Sequence, residues 1–140
     1  MADQSYSITF EGYWMESKKD NIPSKSGIYG VFSGIYNKEK NQVNLQKLIY
    51  IGESVDVKAR IANHEKLQDW ERHINEGEEI FYSFGAAPEA SRNRCEAAII
   101  FQHKPPENTE YAEAFPFDKT NITIDGVVAF LERKFTVERK

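Results

Sequence analysis

Only one cysteine, Cys95, occurs in the 140 residues, which excludes an internal disulfide and any zinc site built on several thiolates. Basic side chains are not in excess either. Lysine and arginine number 18 against 22 aspartates and glutamates, for a formal charge of −4 and a sequence pI near 5.4. A basic field that draws nucleic acid over long range is excluded, although a local basic patch is not. No stretch approaches the ~20 apolar residues needed to cross a bilayer, so no membrane association is expected. Met1 to Tyr13 has neither the basic start nor the apolar stretch of a secretory signal, and the expected location is the cytoplasm. Asn121-Ile122-Thr123 has the form of a glycosylation acceptor, but without an export signal it reads as a strand. Repeats, low-complexity segments and a Walker-type phosphate loop are also missing.

What is present fits one domain, residues 1–140. Ser7 to Met15 is rich in Ile, Thr, Phe, Tyr and Trp and predicts a strand. Lys18 to Ser26, with Pro23, reads as a loop. Gly27 to Tyr36 alternates, with Ile28, Gly30 and Phe32 on one face and Tyr29, Val31 and Ser33 on the other. After the polar connector Asn37 to Asn44, Leu45 to Gly52 predicts a second strand and hence a hairpin. The period then changes. Val57, Ile61, Leu67 and Ile74 predict a helix from about Asp56 to Ile74, with Ser54 or Asp56 as its cap and Gly77 beyond its end. Ile80 to Phe84 reads as a strand, and Glu89 to His103 as a helix begun at Pro88 and stopped by Pro105-Pro106. Glu107 to Phe117 is expected to be irregular, Thr120 to Ile124 a strand, and Val127 to Arg139 either helix or strand. The expected fold is α/β of the α+β type, with a small, mostly antiparallel central sheet flanked by helices.

Several polar residues fall where side chains should turn inward. Tyr29 and Tyr50, on paired strands, can project from one face and bring two phenols together. Arg60 and His64, at i and i+4, share a side of the predicted helix with Val57 and Ile61. Glu96 is followed at i+3 and i+4 by Ile99 and Ile100, which sets its carboxylate at the edge of the core. Cys95 beside it reads as a core residue.

With Gly27-Ile28-Tyr29 and Tyr50-Ile51-Gly52 on adjacent strands, followed by Ser54, Arg60, His64, Glu96 and Asn108, the chain resembles the GIY-YIG nuclease family. The resemblance covers about residues 27–108. It implies a GIY-YIG nuclease-like fold and a metal-dependent endonuclease that hydrolyses phosphodiester bonds of DNA. The implied catalytic set is Tyr29, Tyr50, Arg60, His64, Glu96 and Asn108. Glu96 would bind one Mg²⁺ or Mn²⁺, since Mg²⁺ often takes one or two carboxylates and keeps its waters. Arg60 offers a forked donor to the phosphate, and either Tyr29 or His64 serves as the base. Ser54, Lys58, Arg60, Arg92, Arg94 and Lys104 are the expected contacts to nucleic acid, and Lys18, Lys19 and Lys25 form a second basic group. The acidic net charge and the lack of a separate binding domain keep open an alternative: a module of the same fold, with little activity of its own, targeted by a partner protein. Glu53, beside Gly52, brings negative charge close to the expected site.

Overall fold

A computed structural model describes residues 4–140. Six strands form one sheet: β1 (Gln4–Met15), β2 (Gly27–Asn37), β3 (Gln42–Ser54), β4 (Glu79–Ala86), β5 (Thr120–Gly126) and β6 (Lys134–Val137). Three helices accompany them: α1 (Val57–Ala62), α2 (Leu67–Glu71) and α3 (Glu89–His103). The spatial order is β3-β2-β4-β1-β5-β6. Every neighbouring pair is antiparallel except β1 and β5, which run parallel. The sheet is therefore mixed, and the fold is α+β.

Both faces of the central strands are buried. Ile28, Phe32, Phe81 and Ile51 pack with Cys95, Ala98 and Ile99 of α3 on one side. Tyr29, Val31, Ile49, Tyr82 and Phe84 pack with Val57, Ile61 and Trp70 on the other. The alternation expected along β2 is the one found. Cys95 is buried in the α3 core, and its thiol is pushed up to about 11 by that burial. Among the described residues no helix is long and apolar enough to cross a membrane.

The structure corrects the expected helix, loop and hairpin connector and resolves the C-terminal reading, open between helix and strand. The segment Asp56 to Ile74 is not one helix: α1 stops at Asn63, whose φ of −138° and ψ of 59° are not helical, and α2 begins four residues later. A continuous helix would turn Trp70 about 180° away from Ile61, nine residues earlier, at 100° per residue. Breaking the helix lets both side chains reach the sheet, and both are fully buried. Asp56 is the cap, accepting the Ala59 N–H at 3.1 Å. The ambiguous C-terminal segment contributes strand β6, because Phe135 and Val137 alternate inward and pair with Ile122 and Thr120. Part of the expected loop before β2 is a 3-10 turn, Glu16–Asn21, braced by a Glu16–Lys19 ion pair at 2.6 Å. The connector of the β2–β3 hairpin is also shorter than expected, since pairing extends to Asn37 and Gln42. Helix α3 has the bounds read from its prolines, with Pro88 as N-cap and Lys104 in the left-handed conformation that ends it.

Candidate functional site

Strand β3 is the outermost on its side of the sheet, and there the α1–α2 connection, α3 and the loop after α3 converge. Tyr29 faces Gly52 across the β2–β3 ladder. A methyl group on Gly52 would fall inside the van der Waals shell of the Tyr29 ring, so the second motif glycine makes room for the first motif tyrosine. Gly27 is constrained similarly, because a Cβ there would overlap the Gly85 carbonyl of β4. The ring of Tyr50 lies 6.2 Å from that of Tyr29 and 6.0 Å from that of His64. Trp70 closes the group, 4.3 Å from the imidazole and 5.4 Å from Tyr50.

His64 reaches this cluster from the break between α1 and α2 rather than from a helix face, which corrects the i, i+4 argument while keeping its outcome. Its Nε2 is 2.7 Å from Tyr29 Oη in a buried hydrogen bond. The other ring nitrogen decides the direction of that bond. Nδ1 lies 3.1 Å from the Lys66 main-chain nitrogen, and a backbone N–H can only donate. In the neutral ring the proton therefore sits on Nε2, and His64 donates to Tyr29. Burial, helped by Arg60, holds the imidazole down to about 4, so the ring is neutral at physiological pH. Tyr29 is raised well above the ordinary phenol range by burial and by Tyr50, with Arg60 opposing. Tyr50 is pushed up to about 12, chiefly by burial and then by Glu96.

Arg60 is engaged by Glu65, which sequence reasoning did not single out. The guanidinium donates to both carboxylate oxygens, each at 2.8 Å. This is the fork geometry that also matches a phosphate. The Arg60 side chain is only about one-third exposed.

Glu96 enters from α3. With Tyr50, Lys66, Glu107, Asn108 and Glu110 it lines a cleft of about 180 Å³. No cation is bonded to its carboxylate among the described residues. Burial, and then Glu53 and Glu110, push it up to about 8, with Arg92 opposing. A half-buried carboxyl beside two other carboxylates and lacking a direct counter-ion suits a hydrated divalent cation, which would stabilise its ionised form. No cluster of three or more ligating side chains occurs among the described residues, so Glu96 would hold such an ion with waters and substrate oxygens.

Asn108 reaches the same cleft in a structural role. Its side chain accepts the Ile51 N–H and donates to the Ile51 carbonyl, both at 2.9 Å, and Glu107 N–H bonds to Ile49 O at 3.1 Å. The loop after α3 thereby covers the otherwise open edge of β3. The remaining expected nucleic-acid contacts are mostly occupied within the protein. Ser54 Oγ bonds to the main chain of Asp56. Arg92 is paired with Glu53 and donates to Ser26. Arg94 ties Thr120 and the carbonyls of Asp118 and Lys119 to α3. Lys104 donates to Ala112 O and lies over the Phe101 ring. Lys58 is exposed on α1. Lys66, whose ammonium is 5.9 Å from the centre of the Tyr50 ring, lies nearer the cleft and has no sequence motif to announce it.

Fold and cleft together define an α+β protein with a mixed six-stranded sheet and a half-buried aromatic and carboxylate cleft at one edge. The chain matches no family model, no curated protein and no solved structure.

Proposed function

We propose that the chain is a GIY-YIG-type, metal-dependent endonuclease that hydrolyses phosphodiester bonds of DNA. The observation that carries this reading is the buried Tyr29–His64 contact at 2.7 Å, beside Tyr50 and Arg60, with the unpaired carboxyl of Glu96 close enough to raise both phenols. Phosphodiester hydrolysis needs a deprotonated water, charge neutralisation at the phosphoryl oxygens and protonation of the departing oxygen. Arg60 is the group for the phosphate, exchanging the two oxygens of Glu65 for two of the diester. Tyr29 is the base, acting as the phenolate once its own proton has gone to solvent, because His64 already donates to it and has its second nitrogen occupied by Lys66 N–H. The proton taken from the attacking water stays on Oη, and solvent protonates the departing oxygen. His64 positions the phenol and stabilises negative charge on Oη. Glu96 would hold a divalent ion, which when bound would bring positive charge to the phosphate and favour the phenolate that burial disfavours.

The test is nicking of supercoiled and branched DNA with Mg²⁺ or Mn²⁺, comparing wild type with Glu96→Gln. Metal-dependent nicking that disappears in a folded Glu96→Gln protein supports the reading, and undiminished nicking by that variant refutes it. One observation favours a binding or assembly module instead: Arg60 is already satisfied by Glu65, and Arg92, Arg94 and Lys104 are used internally. In that case purified wild type shows no nicking with either metal, while a protein partner still captures it.

A further inference from the structure

A second cleft, of about 360 Å³, opens between the hairpin and the segment after α2, within the size range of small-ligand sites. Ser33 of β2 is at its base. The residue is 1% exposed, and its hydroxyl has no hydrogen-bond partner among the described residues. A buried hydroxyl left unsatisfied is destabilising, and of the three such side-chain atoms among the described residues, with Trp70 Nε1 and Ser83 Oγ, Ser33 is the one whose residue lines this cleft. Lys47, opposite Ser33 in the ladder, lines the same cleft. So does its neighbour Gln46, because the ladder register shifts at this point and the extra residue turns two successive side chains to one side.

The cationic groups of this cleft are held from behind. Lys47 Nζ donates to His73 Nδ1 at 3.0 Å, and His73 Nε2 donates to Glu107 at 2.6 Å. Arg72 is anchored by one nitrogen to Asp69 at 2.6 Å. The carboxylate in the lining itself, Glu78, accepts the Asn75 N–H at 2.8 Å. Lys47 and Arg72 thus retain unused donors lining one cleft, with the unpartnered Ser33 hydroxyl beneath it, a donor set suited to a tetrahedral oxyanion.

We propose that this cleft binds a phosphate group. Ser33 lies four residues from Tyr29 on the same face of β2, about 13 Å away at ~3.3 Å per residue. Glu107, which orients His73, also lines the Glu96 cleft. Resting on the nuclease reading, the phosphate is a flanking diester of the strand held at Tyr29; the same donors accept free inorganic phosphate.

The test is an amide NMR titration of ¹⁵N-labelled protein with sodium phosphate, at ionic strength held constant with chloride. Saturable shifts at Ser33, Lys47 and Asn75 are expected, weakened at least tenfold in both Ser33→Ala and Lys47→Gln. Absence of a saturable response, or an undiminished one in both folded variants, overturns the site. A second arm uses a short DNA oligonucleotide with Glu96→Gln protein, which keeps the strand intact. Shifts at both Ser33 and His64 assign the site to the strand. A response to phosphate without one to DNA retains the phosphate site and counts against the nuclease reading alone.

Discussion

At the scale of single residues, the proposed hydrolysis turns on which group accepts the proton. The Lys66 N–H on Nδ1 makes His64 a donor to Tyr29, so Tyr29→Phe should fold normally and lose turnover by about 10²–10³ or more, the scale for losing one preorganised polar group. His64→Gln, which can still donate, should retain measurable cleavage. Supercoiled-plasmid nicking at matched stability checks the ranking, and the imidazole ¹⁵N spectrum should show the proton on Nε2. Glu96 supports a prediction on stability. Its carboxyl titrates near 8 in the fold against 4.5 in the ordinary state, so the folded protein holds an extra proton between these values. That contribution is complete below about pH 4.5 and is lost as pH rises to 8, by at most about 1.4 kcal/mol per pH unit. His64 runs the other way. Its depressed value near 4 makes it stabilising above its ordinary 6.5 and costly as pH falls toward 4. Thermal melts should therefore show Glu96→Gln gaining on wild type from pH 6.5 to 8, with added Mg²⁺ narrowing the gap.

At the scale of elements, the break between α1 and α2 and the loop after α3 do what regular structure would not. The break frees Trp70 to enter the core and puts His64, Glu65 and Lys66 on a connection in which the Lys66 N–H meets His64 Nδ1. The loop gives β3 a partner on its open side through the two hydrogen bonds between Asn108 and Ile51. Asn108→Ala removes both bonds and leaves the Ile51 groups half-buried without a partner. Denaturant unfolding should register a loss of about 1–3 kcal/mol, and amide exchange at Ile51 should accelerate. Activity should fall with it, because Tyr50 precedes Ile51 and shares the cleft with Asn108. Unchanged stability would mean that the edge is held by Glu107 alone.

At the scale of the whole molecule, the distribution of charge sets how it meets DNA. The net charge is −4; the cations left for DNA are the exposed Lys58, Lys66 in the cleft and Arg60, which must first leave Glu65, together with Lys47 and Arg72 of the second cleft. Binding to random duplex should be weak, with a log–log salt slope of roughly −4, about −0.9 for each of three phosphates at the first site and one at the second cleft. A fluorescence-anisotropy series across salt concentrations checks this, and a much steeper slope would require a basic surface beyond these groups. Alternation, Gly and Pro act over a few residues, so the β2–β3 hairpin, the tyrosine-bearing face of β2 and the extent of α3 are legible in the order of residues alone. So are Tyr29, Tyr50 and Glu96 as inward-facing polar groups. Folding was needed to show that Glu65 occupies Arg60, that Lys66 sets the tautomer of His64, that Asn108 fastens a loop to β3, and that Arg92 and Arg94 are tied within the protein. The first two depend on the chain leaving its helical course at Asn63, and the others on groups far apart in sequence meeting in the fold, as Asn108 meets Ile51 and Arg92 meets Glu53. Local periodicity carries no information about a partner fifty residues away.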